Sequence, residues 1–194
     1  MKLILASKSP RRREMLDSLG LEYEALATSV DESYKGKITP SRLVEILSLR
    51  KAQAAKANSE DIIIASDTVV ALGNRIFGKP SDRHEAYEMM KALSGTVHKV
   101  YSGYSIVCGD KTVSGSVATK VKFRSLTDDE INAYIDTDEP YDKAGGYGIQ
   151  ENGGFFVVAI NGDFNNVVGM PLSTIEMALR ENFDISLLDF RKKK

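Results

Sequence analysis

Residues 62–72 read Ile62-Ile63-Ile64-Ala65-Ser66-Asp67-Thr68-Val69-Val70-Ala71-Leu72. The opening β-branched run has no polar alternation, so it reads as a strand covered on both faces. Strands of this kind alternate along the chain with capped helices, and the middle contributes a hairpin. The class is therefore α/β with a mixed, elongated sheet flanked by helices, and two lobes around a central cleft would gather the loop motifs. Within this strand, Asp67 lies between two apolar segments, where an unpaired carboxylate is costly to bury. It is either a structural group bonded to backbone N–H or a chemical one, a metal ligand or a general base. Its hydroxyl-bearing neighbours and the strand that resumes beyond it favour the chemical role.

A second strand, Leu3-Ile4-Leu5-Ala6, opens the chain. It stops where Ser9-Pro10 reads as the N-cap and first residue of a helix over residues 10–19, with Met15, Leu16 and Leu19 inward and Gly20 beyond. The N-H groups and positive dipole end of that helix face the same place as Ser7, Ser9 and some of Arg11, Arg12 and Arg13. That combination suits a phosphate.

A short strand is expected over residues 23–27, then a polar loop containing Glu32, then a helix capped by Thr39-Pro40 with Lys51 beside its apolar stripe. Gly73-Asn74 reads as a turn, Gly78-Lys79-Pro80 as a rigid loop presenting one lysine, and Ser81 as the cap of a helix over 82–93. Residues 98–107 and 112–123 form a hairpin across Gly109-Asp110. Thr127-Asp128-Asp129-Glu130 is a capping box. In Asp142-Lys143-Ala144-Gly145-Gly146-Tyr147-Gly148-Ile149-Gln150 the glycines allow close backbone approach, and the opposite charges of Asp142 and Lys143 suit a metal and phosphate neighbourhood. A strand over 155–160, a final helix over 172–179 and a frayed basic end from Arg191 to Lys194 complete the reading. His98 is taken as structural.

Composition removes several classes. The chain has 194 residues, enough for one domain over 1–194, with 42% hydrophobic and 27% charged residues. Its 26 Lys+Arg against 27 Asp+Glu leave a net charge of −1, so no global field favours nucleic acid or a membrane surface. The one cysteine, Cys108, excludes an internal disulfide framework; it reads as a buried small hydrophobe in a protein of the cytoplasm. No apolar stretch approaches a signal peptide or a membrane span. There is no P-loop, no serine-hydrolase signature and no zinc cluster.

What remains is a set of cations, Arg11, Arg12, Lys51, Lys79 and Lys143, with the carboxylates Glu32, Asp67 and Asp142. Such a set suits a polyphosphate with a divalent cation, Mg²⁺ or Mn²⁺. Ser7-Lys8-Ser9-Pro10-Arg11-Arg12, Ser66-Asp67-Thr68, Gly78-Lys79-Pro80, Glu139-Pro140 with Asp142-Lys143-Ala144-Gly145, Tyr147-Gly148-Ile149-Gln150 and Val168-Gly169-Met170-Pro171 resemble, in order and spacing, the Maf-like nucleoside triphosphate pyrophosphatases. The likeness covers essentially the whole chain.

The resemblance implies hydrolysis of a nucleoside triphosphate between its α and β phosphates, giving monophosphate and pyrophosphate, in a house-cleaning role and frequently as a homodimer. It makes Asp67 the proton acceptor. In the mechanism that follows, Asp67 and Glu32 hold the metal, Ser7, Ser9, Arg12, Lys51 and Lys79 contact phosphate, and Asp142 and Lys143 are further candidates for the site. Arg11, Thr68 and Gln150 match the residue types of a branch acting on dTTP and UTP. The alternatives are the sister branch acting on 7-methyl-GTP and a nucleotide-binding regulator of septum formation. Gln150 has a chemical rationale: its amide can accept from N3-H and donate to a ring carbonyl, a pairing that uracil and thymine offer and cytosine does not. Two positions depart from the pattern, Ser66 for the usual Ala and Met170 for the usual Leu. Arg13 falls outside the motif and is expected in solvent.

Overall fold

The computed structural model describes residues 1–34 and 36–192 of the 194. The elements are β1 (Leu3–Ala6), α1 (Pro10–Ser18), β2 (Glu24–Leu26), α2 (Pro40–Ala54), β3 (Ile62–Leu72), β4 (Arg75–Phe77), α3 (Arg83–Leu93), β5 (Val97–Cys108), β6 (Lys111–Phe123), α4 (Asp128–Ile135), β7 (Val157–Asn161), α5 (Phe164–Val168) and α6 (Leu172–Phe183). Short 3₁₀ turns occupy Glu139–Asp142, Ala144–Gly146, Asn152–Phe156 and Leu187–Phe190.

The strands form a seven-stranded sheet in the order β2-β1-β3-β5-β6-β7, with β4 paired to β3 off that path. β1 runs parallel to both β2 and β3, which sets Leu3 opposite Ile62 and Leu5 opposite Ile64. β4 and β7 are antiparallel to their neighbours, so the sheet is mixed as expected. The β-branched run of β3 is buried throughout, and the strand continues through Asp67 without a break.

Two compact units can be distinguished along the chain. The first comprises Met1–Asp67, Ser102–Val117 and the chain from Gly169. Its core includes Ile4, Ala6, Ala52, Ile63 and Ala65. The second comprises Thr68–Tyr101 and Ala118–Val168, built around Val70, Phe77, Met90, Leu93, Phe123, Ile131 and Phe156. The capping box closes α4 in both directions: Thr127 Oγ1 accepts from Glu130 N at 3.2 Å, and Thr127 N donates to Glu130 Oε2 at 2.8 Å.

Several local expectations are corrected. Leu19 is the C-cap of α1, past its last helical residue Ser18, and is exposed rather than inward with Met15 and Leu16. Asp82 rather than Ser81 caps α3, its Oδ1 accepting from Glu85 N at 2.8 Å, while the Ser81 hydroxyl donates to Glu85 Oε2 at 2.7 Å. Residues 155–156 belong to a 3₁₀ turn that leaves Phe155 exposed, so β7 begins at Val157. α5 was not foreseen; Asp163 opens it by accepting from Asn165 N at 2.8 Å. Cys108 is half-buried rather than buried, its thiol directed at the Ser59 carbonyl 3.7 Å away. The basic end is held as far as Lys192: Arg191 bridges Leu21, and Lys192 N donates to Gly20 O at 3.0 Å. Lys193 and Lys194 of that expected frayed end, like Lys35, lie outside the described residues.

Candidate functional site

In the first unit the site grows from β3 and α2. Asp67 stands on a strand buried on both sides and is itself only 7% exposed. On α2 the inward face carries Val44, Leu47 and Ser48. Lys51 follows Leu47 by four residues and Val44 by seven, so it continues that buried face. α2 can lie this close to β5 because Gly103 has no side chain: a Cβ there would overlap the Val44 carbonyl. The contact fixes the height of Lys51 above the sheet.

The Lys51 ammonium reaches two carboxylates. It is hydrogen-bonded and ion-paired to Asp67 Oδ1, and it lies 2.8 Å from Glu32 Oε1. Its side chain is 16% exposed and that of Glu32 62%, so the pair runs from interior to surface. Glu32, a loop acid with little to mark it in the sequence, thus shares a cation with Asp67.

Arg12 is the next member. Its Nε donates to Gly169 O at 2.8 Å and its Nη1 to Ser7 Oγ at 3.4 Å. Burial lowers its pKa from the ordinary arginine value; Asp67 and Glu32 oppose that shift, and the like charge of Arg11 adds to it. Arg12 therefore lies in the fields of Asp67, Arg11 and Glu32. Ser7 is buried, its hydroxyl oxygen accepting from Ser9 N at 3.1 Å. Ser9 occupies the N-cap of α1, but its hydroxyl makes no capping bond. Arg13 is not in solvent as expected: it is half-buried, with Nη2 donating to Ser7 O at 3.4 Å, because α1 turns its side chain back on the end of β1.

Ser66, the departure beside Asp67, is fully buried. Its hydroxyl lies 2.7 Å from Gly103 O and 2.8 Å from Gly169 O and can donate to either carbonyl. Gly169 O thus lies within hydrogen-bond reach of both the Ser66 hydroxyl and Arg12 Nε. Met170, the second departure, is packed in the core at 1% exposure.

Thr68, Lys79, Asp142, Lys143 and Gln150 fall in the second unit. Thr68 is half-buried on β3; Lys79 and Gln150 are exposed. The loop of Lys79 is fastened by Gly145 N donating to Gly78 O at 2.8 Å. Gly145 has φ of +72° and a Cβ there would strike Val70, so glycine is required. Lys143, expected beside phosphate, has a side chain only 6% exposed and is held by protein oxygens: Glu139 O at 2.8 Å, Asp142 Oδ1 at 2.8 Å and Glu151 Oε1 at 3.2 Å. Glu151 carries no mark in the sequence that would predict this, and Glu139 stands out there only as part of the Glu139-Pro140 motif. His98 is structural as expected, buried between Phe123 and Tyr147.

Among the described residues no group of three or more His, Cys, Asp and Glu is placed to hold a metal ion. Asp67 and Glu32 nevertheless supply two hard oxygen donors that already converge on one cation, Lys51. That donor set fits Mg²⁺ or Mn²⁺, which commonly takes one or two carboxylates and completes its shell with water and substrate phosphate.

The model of the family described as "Maf-like protein" matches residues 2–182. The chain belongs to the Maf-like family. Among curated relatives, a dTTP/UTP pyrophosphatase of Bacillus anthracis is 46% identical over 187 residues, covering 95% of this chain and 98% of the relative. A dTTP/UTP pyrophosphatase of Thermoanaerobacter sp. (strain X514) is 48% identical over 192 residues, covering 97% and 100%. Among solved structures, the Staphylococcus aureus Ham1 protein matches with a TM-score of 0.45 and 14% identity over 63% of this chain and 72% of that one. No helix among the described residues is long and apolar enough to cross a membrane.

Proposed function

We propose that this chain hydrolyses dTTP and UTP to the monophosphate and pyrophosphate, a house-cleaning activity in the cytosol. The observation that carries the reading is the Lys51 ammonium joining Asp67 to Glu32 within the electrostatic reach of Arg12. Membership of the Maf-like family and the names of its relatives support the same reading.

In this mechanism Asp67 takes a proton from water. The water oxygen bonds to the α phosphorus as the bond from that phosphorus to the α–β bridging oxygen breaks, and the bridging oxygen leaves with pyrophosphate. Arg12 and Lys51 offset charge that develops on the phosphate oxygens, and Lys79 is assigned to the leaving phosphates. Ser7, Ser9 and the start of α1 add hydroxyl and N-H donors. Asp67 and Glu32 would hold a divalent cation, which when bound neutralises phosphate charge and lowers the pKa of water. Arg11, Thr68 and Gln150 are assigned to base selection, Gln150 by accepting from N3-H and donating to a ring carbonyl.

The test is hydrolysis in H₂¹⁸O of a panel of dTTP, UTP, CTP and 7-methyl-GTP, with Mg²⁺ or Mn²⁺. The expected result is preference for dTTP and UTP, with the label in the monophosphate. Label in pyrophosphate, or preference for 7-methyl-GTP, overturns it. Asp67→Asn should reduce turnover by at least about 10²-fold; a folded variant that retains activity within a few-fold removes Asp67 as the base.

A further inference from the structure

Gln150 is exposed at the end of a glycine-rich stretch, yet an amide that reads a base must be held to within a fraction of an ångström. The residues on either side of it are tied down by two buried groups. On its C-terminal side, Glu151 Oε1 lies 3.2 Å from Lys143 Nζ. Asn152 N donates to Glu139 Oε2 at 3.1 Å, and Gly153 N donates to Glu139 Oε1 at 2.9 Å. On its N-terminal side, Gly148 N donates weakly to Tyr134 Oη at 3.4 Å, and a Cβ at Gly148 would overlap the Lys143 stem.

The two groups are themselves joined. Lys143 Nζ donates to the Glu139 carbonyl at 2.8 Å, and Tyr134 Oη donates to Glu139 Oε1 at 2.9 Å. Burial, reinforced by the Glu139 carboxylate, raises the Tyr134 pKa and keeps its hydroxyl a donor. Glu139 and Lys143 are 8% and 5% exposed, so these bonds are shielded from competing water.

We propose that Lys143 and Glu139 are positioning residues that set the register of residues 148–153, and through it the base selectivity exerted by Gln150. This rests on the assignment of Gln150 under the proposed function. It gives Lys143 a task other than phosphate binding: its ammonium is directed at Glu139 O, Asp142 and Glu151. A misplacement of about 1 Å in a recognition group is enough to cost about 10²-fold in rate, so the effect should be visible in selectivity.

The experiment compares kcat/KM for UTP and for CTP in the wild type, Lys143→Met, Glu151→Gln and Gln150→Ala. If Gln150 reads the base, Gln150→Ala lowers the UTP:CTP ratio; an unchanged ratio there overturns the assignment on which this inference rests. Given a lowered ratio, Lys143→Met is expected to lower it by about tenfold or more, chiefly through a higher KM for UTP. Glu151→Gln, at the exposed end of the same clamp, should shift it in the same direction by less. Should Lys143→Met fail to fold by circular dichroism, Glu151→Gln decides alone. Folded variants that lose activity equally on both nucleotides, or lose none, overturn the proposal, since a general weakening of the fold scales both substrates alike.

Discussion

A single ammonium unites the residues that the sequence left separate. Asp67 was legible because an acid inside an apolar strand needs a reason, and Arg11 and Arg12 because they start a helix. Glu32 and Lys51 were not legible from spacing alone. They lie 19 positions apart, on a loop and a helix, and only the fold brings them to the same oxygen-rich point. Lys51→Met should therefore do two things: withdraw positive charge from the substrate phosphates and leave Asp67 and Glu32 without their shared cation. We expect kcat to fall about 10²–10³-fold, measured by pyrophosphate release, with the fold retained. Arg13 shows the limit of residue-level reading: three consecutive arginines look alike in sequence, yet helical rotation sends Arg12 to Gly169 O and Arg13 to Ser7 O. Ser66 poses a smaller question. Ser66→Ala removes the donor that Gly103 O and Gly169 O share and should destabilise the protein by about 1–2 kcal/mol in urea unfolding.

Elements were easier to read than their joins. Helices with a cap and an apolar stripe, such as α2 and α4, start at the expected caps, Thr39 and Thr127, because capping and periodicity are local properties. α5 did not, since five residues give too little periodicity to register, and its opening depends on the Asp163 side chain folding over Asn165 N. The packing of α2 on β5 was likewise invisible. Gly103 sits in an ordinary strand sequence, and its importance comes from the Val44 carbonyl opposite it. A methyl group there must push the helix outward. Gly103→Ala should cost about 1–3 kcal/mol through overpacking and lower kcat/KM by lifting Lys51 from Asp67. Urea midpoints and nucleotide assays on the same preparation measure both effects. A loss of stability with kcat/KM unchanged would separate the helix contact from the site.

At the scale of the whole molecule, the alternation of strands and helices made the α/β class legible, but not the sheet order. Placing β1 between β2 and β3 depends on parallel pairing between segments tens of residues apart, which local propensity does not encode. The family emerged from six motifs in register along the chain, a signal that none of them carries alone. One global property rests on a residue outside the site. His98 is buried in the second unit among Phe123 and Tyr147; its Nε2 is paired with Tyr147 Oη at 2.8 Å, and its Nδ1 is buried without a partner. A second ring proton would charge a buried imidazole whose Nδ1 has no acceptor, so burial lowers the His98 pKa from 6.5 to about 4. Unfolding releases the ring to its ordinary value. Below pH 6.5 the unfolded chain therefore binds a proton that the folded chain does not. The associated stability is fully present above about pH 6.5 and is lost progressively as the pH falls toward 4, amounting to about 3 kcal/mol. Urea midpoints taken from pH 8 to pH 4 should fall along this limb. His98→Gln, which keeps a polar partner for Tyr147 but does not titrate, should start from a lower stability and flatten the limb between pH 6.5 and 4. An acid limb of undiminished slope in His98→Gln would assign it to the carboxylates instead.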